Sequence, residues 1–191
     1  MTKSLNIPRL HGARCDLCIF RTDDAAVNEY VRWLTDESIL GWISRNAEIY
    51  TFEDEKRWAL ETAARKNKHS FNIVGSTSEE LIGNCAITVV PNTTSAYISI
   101  FIGEPKSRRN GYGTEALNLL LKYGFDQLGL RVIFLDVKED NVPAIKTYKK
   151  VGFVECGRVD DFFFYNGTYH AKITMQILEK EWRKMHNDTG K

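Results

Sequence analysis

A chain of 191 residues, 43% hydrophobic and 27% charged, has the composition of a soluble globular protein and is long enough for one substantial core. A formal net charge of +1 argues against bulk electrostatic binding to nucleic acid, and no apolar run reaches the length of a membrane span. The first residues hold Lys3, Pro8 and Arg9 without an apolar segment, so no secretory leader is expected, and four scattered cysteines suit a reducing cytoplasm.

Charge is unevenly spread. Between Asp23 and Glu61 stand ten acids and four bases, a local charge of −6. The basic excess lies elsewhere, notably at Lys106, Arg108 and Arg109. This stretch reads equally well as a surface for a cationic acceptor or as the solvated faces of two helices.

In chain order, Met1 to Ala13 is expected to be loosely tied, and Arg14 to Phe20 reads as a strand. Cys15 and Cys18 are spaced C-x-x-C. Residues three apart in a strand face opposite sides, and no second pair completes a zinc site, so both are read as strand residues and no metal is expected. Thr22 is an N-cap candidate for a helix carrying Ala26, Val27, Tyr30, Val31 and Leu34 at helical spacing. Asp36 to Tyr50 is a short helix or a loop. Thr51, backed by Glu53, Asp54 and Glu55, starts a second helix through Trp58 to about Lys66. Trp33, Trp42 and Trp58 are read as core, with the lining of a pocket as the alternative.

Strands follow at His69 to Val74, Glu79 to Val90 and Ser95 to Ile102. The third is almost continuously apolar, which suggests burial on both faces. Cys85 and, further on, Cys156 look like small buried strand residues. From Gly111 to Leu128 runs a helix with Glu115, Asn118, Lys122 and Asp126 on one stripe and an apolar remainder, ended by Gly129. Val132 to Leu135 is another apolar strand. Strand, helix and strand in this order imply a right-handed parallel crossover. Asn141 caps the next helix, with Pro143 in its first turn and Gly152 as its stop. Val154 to Phe164 and Thr168 to Leu178 form a hairpin across Asn166-Gly167. A short polar helix or tail closes the chain.

The loop Arg108-Arg109-Asn110-Gly111-Tyr112-Gly113, opening at Thr114 into a helix, has the makings of an anion site. A helix start offers unpaired N–H groups and a partial positive charge. Two glycines allow close approach, and arginines bond phosphate oxygens. The physics predicts a site for a phosphorylated ligand, most naturally a pyrophosphate. The loop lacks the Gly-Lys-Ser/Thr of a P-loop and the third glycine of a dinucleotide fingerprint.

The pattern R-x-x-G-x-G after an apolar strand, followed by Asn141, Ala144, Tyr148, Gly152 and Phe153 at N-x-x-A-x-x-x-Y-x-x-x-G-F spacing, resembles the GNAT superfamily of N-acetyltransferases. Leu81-Ile82-Gly83-Asn84 and Phe162 to Tyr169 extend the resemblance toward the branch of ribosomal-protein N-terminal and spermidine acetyltransferases. It covers about Arg14 to Leu178. The resemblance implies an α/β (α+β) fold over one domain: a mixed, mostly antiparallel sheet of six or seven strands, with helices on both faces and a central parallel pair. It implies acetyl-CoA as co-substrate. Pyrophosphate would be bound by Arg108, Arg109, Asn110, Gly111, Tyr112, Gly113 and Thr114. Main-chain groups of Ile100, Phe101 and Ile102 would be freed by a bulge, and Asn141 and Ala144 would lie near the cofactor. A homodimer is possible by the same analogy.

The implied reaction is attack of an amine on the acetyl thioester, which needs a neutral amine, oxyanion stabilisation and a proton for the thiolate. The resemblance assigns the proton to Tyr148; helical spacing alone would make Tyr148 a core aromatic. No acid stands on the Ala96-Tyr97-Ile98-Ser99 strand, where many relatives carry their base. Asp36, Glu37, Glu48 and Asp160 are the candidate carboxylates. A lysine-type amine is neutral in about one molecule in 2,500 at pH 7, an α-amine in about one in ten. The missing base therefore leans toward a protein N-terminal α-amine, while the acidic stretch leans toward a polyamine or other small amine. A non-catalytic acyl-CoA sensor is the competing class, weighed against by Tyr148. One basic turn is too small a footprint for a nucleic-acid partner.

Overall fold

The computed structural model describes residues 8–36, 51–165 and 167–187. Glu37, Trp42, Glu48, most of the Asp36–Tyr50 stretch and Asn166 lie outside the described residues. The described strands form one seven-stranded sheet in the order β1-β2-β3-β4-β5-β7-β6. They are β1 (Cys15–Ile19), β2 (Lys68–Gly75), β3 (Leu81–Val89), β4 (Ser95–Ile102), β5 (Val132–Lys138), β6 (Val154–Tyr165) and β7 (Thr168–Leu178). All neighbours run antiparallel except β4 and β5, which are parallel. This is the mixed sheet with a central parallel pair that the resemblance implies.

The helices are α1 (Asp24–Leu34), α2 (Phe52–Ala64), α3 (Tyr112–Asp126), α4 (Val142–Val151) and α5 (Glu179–Asn187), with a 3₁₀ turn at Pro105–Ser107. Side-chain caps set three of the starts. Asp23, rather than the expected Thr22, caps α1 by accepting from Ala26 N–H at 3.2 Å, and Arg21 holds its carboxylate from outside. Thr51 caps α2 and Asn141 caps α4. Gly152 ends α4 at φ +107°, a conformation that favours glycine.

Two apolar clusters lie on opposite faces of the sheet. The larger joins α3, through Leu117, Leu120 and Leu121, to Phe71, Ile87, Ile133, Leu135, Ile173 and Met175. The smaller packs Val27, Tyr30 and Trp33 of α1 and Ala59 of α2 against Phe101 of β4. Trp33 is core, as expected; Trp58 packs at its edge. The closing segment is a helix that contributes to the core, since Trp182 is buried against Phe125 at a ring distance of 5.4 Å.

Several expectations change. Residues from Arg9 onward are not loose: Leu10 pairs with Leu17, and Arg9, His11 and Gly12 N–H all converge on the buried Asp16. β4 and β5 are not buried on both faces. Tyr97 and Ser99 are exposed and Phe134 half-buried, because on that face the described α1 and α2 pack against Leu81 and Phe101 and not on these residues. Cys156 is exposed rather than buried, since β6 is the edge strand. Burial and the neighbouring Glu115 carboxylate push the Cys15 thiol up to about 12, which makes it a packing residue, not a reactive thiolate. No described helix is long and apolar enough to cross a membrane.

Candidate active site

The parallel strands part at the centre of the sheet. β4 and β5 pair at Ser95↔Val132, Ala96↔Ile133 and Tyr97↔Phe134, and no further. Both strands continue, so a cleft opens between them. It has a volume of about 160 Å³ and is lined by Ser99 and Ile100 of β4, by Asp136 and Lys138 of β5, and by Asn141 and Tyr148 of α4.

The other edge of β4 fixes which main-chain groups face this cleft. Gly103 N–H donates to Ile82 C=O at 3.0 Å, and Val90 N–H to Ser95 C=O at 2.9 Å. Alternation along an antiparallel pair then turns residues 95, 97, 99 and 101 toward β3, and Ile100 and Ile102 toward the gap. The β3–β4 register is continuous from Val89↔Ala96 to Gly83↔Ile102. The expected bulge is therefore absent. Divergence of β4 from β5 frees the main chain instead. Phe101 leaves the expected cofactor set: its main chain bonds β3, and its ring packs on Trp33 at 5.9 Å.

Beyond Ile102 the chain turns into the glycine loop. Gly111 is the N-cap of α3, at φ +87°, and makes no side-chain cap. Unlike α1, α2 and α4, this helix therefore leaves its first N–H groups without a side-chain acceptor. A Cβ on Gly113 would meet only Ile102 Cγ1, at an ordinary 3.6 Å, so no contact within the chain demands glycine there. The uncapped start and the open space over Gly113 fit a phosphate drawn close to the backbone, followed by an arm running along Ile102 and Ile100 into the cleft.

The loop side chains divide. Arg108 is turned inward, donating from Nε to Ile102 C=O at 3.2 Å and from a terminal nitrogen to Gly103 C=O at 2.8 Å, with Asp36 at 3.8 Å. It braces the end of β4 through these two bonds. Arg109 is exposed, at φ +62°. Asn110 binds Lys106 C=O at 2.8 Å. Tyr112 packs on the larger core, and its C=O faces the Cys15 thiol at 3.8 Å. Thr114 is half-buried in the first turn of α3.

Across the cleft, Tyr148 stands on α4 with its ring edge-on to Phe153 at 6.0 Å. Burial pushes its phenol up to about 12. Asn141 spends its Oδ1 on the N–H of Ala144 at 3.2 Å, so both residues serve first as the helix cap. Asp136 is the one carboxylate among the described lining residues. Its Oδ1 accepts from the Thr174 hydroxyl at 2.7 Å, and Lys172 Nζ lies 3.5 Å from Oδ2. Lys138 is buried beside it, paired with Asp140 at 3.2 Å and lying over the Tyr165 ring.

Asp136 was not among the sequence candidates. Asp36 is spent on Arg108 and Asp160 on Arg158 at 2.6 Å; Glu37 and Glu48 lie outside the described residues. The signal for Asp136 was an acid interrupting the apolar strand after Leu135. A second unforeseen neighbour is Arg14, whose guanidinium lies against Gly111.

A sheet split between parallel central strands, with an uncapped helix start at one end of the gap and a half-buried phenol at the other, fits an acyltransferase architecture. The model of the acetyltransferase (GNAT) domain matches residues 16–154, and the chain belongs to that family. It is 30% identical over 146 residues to the spermidine N(1)-acetyltransferase of Vibrio cholerae, covering 73% of this chain and 84% of the relative. It is 26% identical over 173 residues to human alpha/beta-tubulin-N-acetyltransferase 9, covering 84% of this chain and 81% of the relative. In fold it matches the crystal structure of spermidine N-acetyltransferase from Vibrio cholerae in complex with CoA and spermine, with a TM-score of 0.79 at 23% identity over 90% of this chain and 99% of that one. The protein is thus an N-acetyltransferase enzyme that uses acetyl-CoA.

Proposed function

We propose that this enzyme acetylates a protein or peptide N-terminal α-amine by direct attack. The observation that carries this reading is the setting of Asp136. It is a single carboxylate at the cleft, flanked by Lys138 and by Lys172 at 3.5 Å. One carboxylate among cations suits one amine on an otherwise uncharged backbone. A polycation would have to compete with Lys172 for Asp136, while Lys138 is already paired with Asp140. Of the ten acids in the acidic stretch, Asp23, Asp24, Glu29 and Asp54 are ion-paired with Arg21, Lys56, Arg32 and Arg57.

Acetyl-CoA supplies an acyl group activated as a thioester. The loop from Arg109 to Thr114 holds phosphate through backbone N–H groups at the start of α3. Ile100 and Ile102 offer N–H groups toward a developing oxyanion. Asp136 accepts a hydrogen bond from the incoming amine, orients it and receives its proton as the nitrogen becomes acidic on attack. Tyr148 keeps its proton at Oη and presents it to the departing sulfur. With the phenol near 12 and an ordinary thiol near 8.5, complete transfer is uphill by about 5 kcal/mol, against about 2 kcal/mol for a free tyrosine. The phenol therefore acts chiefly as a hydrogen-bond donor, and its proton moves late. An α-amine also needs less help than a lysine-type amine, since deprotonation at pH 7 costs it about 1.4 kcal/mol rather than 4–5 kcal/mol.

A polyamine acceptor is the second reading, favoured by the relative named for spermidine. Acetyl transfer to N-terminal peptides and to spermidine, measured side by side as thiol release, separates the two. Turnover confined to spermidine would overturn the α-amine reading.

A further inference from the structure

Arg14 sits where the chain enters β1, and its backbone is held on both sides. The N–H groups of Ala13, Arg14 and Cys15 donate to the Glu115 carboxylate at 2.9, 2.8 and 3.0 Å. The Arg14 C=O accepts from Ser76 N–H at 3.0 Å. Glu115 lies in the first turn of α3, so this clamp docks Arg14 onto the start of that helix. The side chain follows: Nε, Cδ and Cζ lie 3.6, 3.7 and 3.9 Å from where a Cβ on Gly111 would stand.

The Arg14 side chain is exposed and lies beside the helix start without a carboxylate partner among the described residues. The start of a 15-residue helix carries a partial positive charge, and a guanidinium beside it is repelled. Glu115, the carboxylate that holds the Arg14 backbone, is already shared among three backbone N–H groups. Among the described residues neither Arg14 nor Arg109 of the loop has an ion pair, whereas Arg9 is engaged with Asp16 and Glu79, Lys106 with Glu80, and Arg108 with the end of β4. A cation and an uncapped helix start held together by a dedicated clamp become mutually favourable once an anion lies between them.

We infer that Arg14 is a phosphate-binding residue of the acetyl-CoA site, delivered to the glycine loop from β1 and positioned there by Glu115. The inference rests on the reading of that loop as the phosphate site. CoA offers a guanidinium two partners of the same chemistry, the pyrophosphate and the 3′-phosphate.

The test is calorimetric titration of wild type, Arg14→Ala and Arg14→Lys with CoA and with 3′-dephospho-CoA, together with thermal melting without ligand. We expect the affinity of Arg14→Ala for CoA to fall about tenfold, with Arg14→Lys in between. Its ligand-free melting temperature should equal or exceed that of wild type, because a repulsion has been removed. A loss that disappears with 3′-dephospho-CoA assigns the contact to the 3′-phosphate; a loss that persists assigns it to the pyrophosphate. Unchanged CoA affinity overturns the inference while leaving the loop reading intact. A clear drop in ligand-free melting temperature overturns it too, by making Arg14 structural. Failure of wild type to bind CoA would remove the loop reading itself.

Discussion

The rings of Tyr97 and Phe134 lie 5.5 Å apart, across the last rung on which β4 and β5 pair. Above this rung the strands diverge, so the aromatic pair marks the floor of the cleft. Tyr97→Ala should lower unfolding stability by about 1 kcal/mol, the usual worth of a cross-strand aromatic pair. It should also raise the KM for the acceptor more than that for acetyl-CoA, since both rings lie on the face opposite α3. Urea melts and bisubstrate kinetics check both halves.

Tyr148→Phe should lower kcat by about a hundredfold or more, with CoA affinity unchanged. The pH profile of the wild type follows from the sign of the shift. Burial raises the folded-state pKa of this acid to about 12, so the phenol stays protonated through pH 10 and loses its proton only above that. Deprotonation of Tyr148 should therefore produce no fall in kcat/KM below about pH 11. The rising limb should belong to the acceptor, levelling near pH 8 for an α-amine. A descending limb between pH 8 and 10 that Tyr148→Phe removes would contradict this account.

The two loop glycines should separate cleanly. Gly113 has ordinary helical geometry and room for a methyl group, so Gly113→Ala should keep its melting temperature yet bind CoA at least about tenfold more weakly. Gly111 is left-handed, so Gly111→Ala should lose about 1 kcal/mol of stability before any ligand is added. Melting curves with and without CoA test the contrast.

Asp136→Asn preserves shape and can still accept from Thr174 while losing its charge. We expect kcat/KM for the acceptor to fall about tenfold or more, with the KM for acetyl-CoA and the melting temperature near wild type. Equal loss with respect to both substrates would mean that Asp136 shapes the cleft rather than holding the amine.

Local patterning made much of this molecule legible. The polar stripe of α3, the Asn141 cap, the Gly152 stop and the glycine loop each depend on neighbours within a turn or two. The misses are long-range. Nothing near Cys156 in sequence says that β7 inserts between β5 and β6 and leaves β6 at the edge. Phe101 and Arg108 carry the right chemistry for a cofactor site, yet the odd register of β4 turns the one toward β3, and the carbonyls at its end capture the other. Asp136 belongs to a period-two pattern, Val132, Phe134, Asp136 and Lys138, on a face whose exposure depends on how far α1 and α2 reach. Arg14 meets Gly111 only through the Glu115 clamp, a contact between segments 101 residues apart in the chain.

The most direct test of the account is release of free thiol from acetyl-CoA by the wild-type enzyme against N-terminal peptides, spermidine and amino sugars in one panel. Turnover of peptides, with spermidine at background, is the predicted result. Turnover confined to spermidine would contradict it, and would mean that the lysines flanking Asp136 do not repel a polycation.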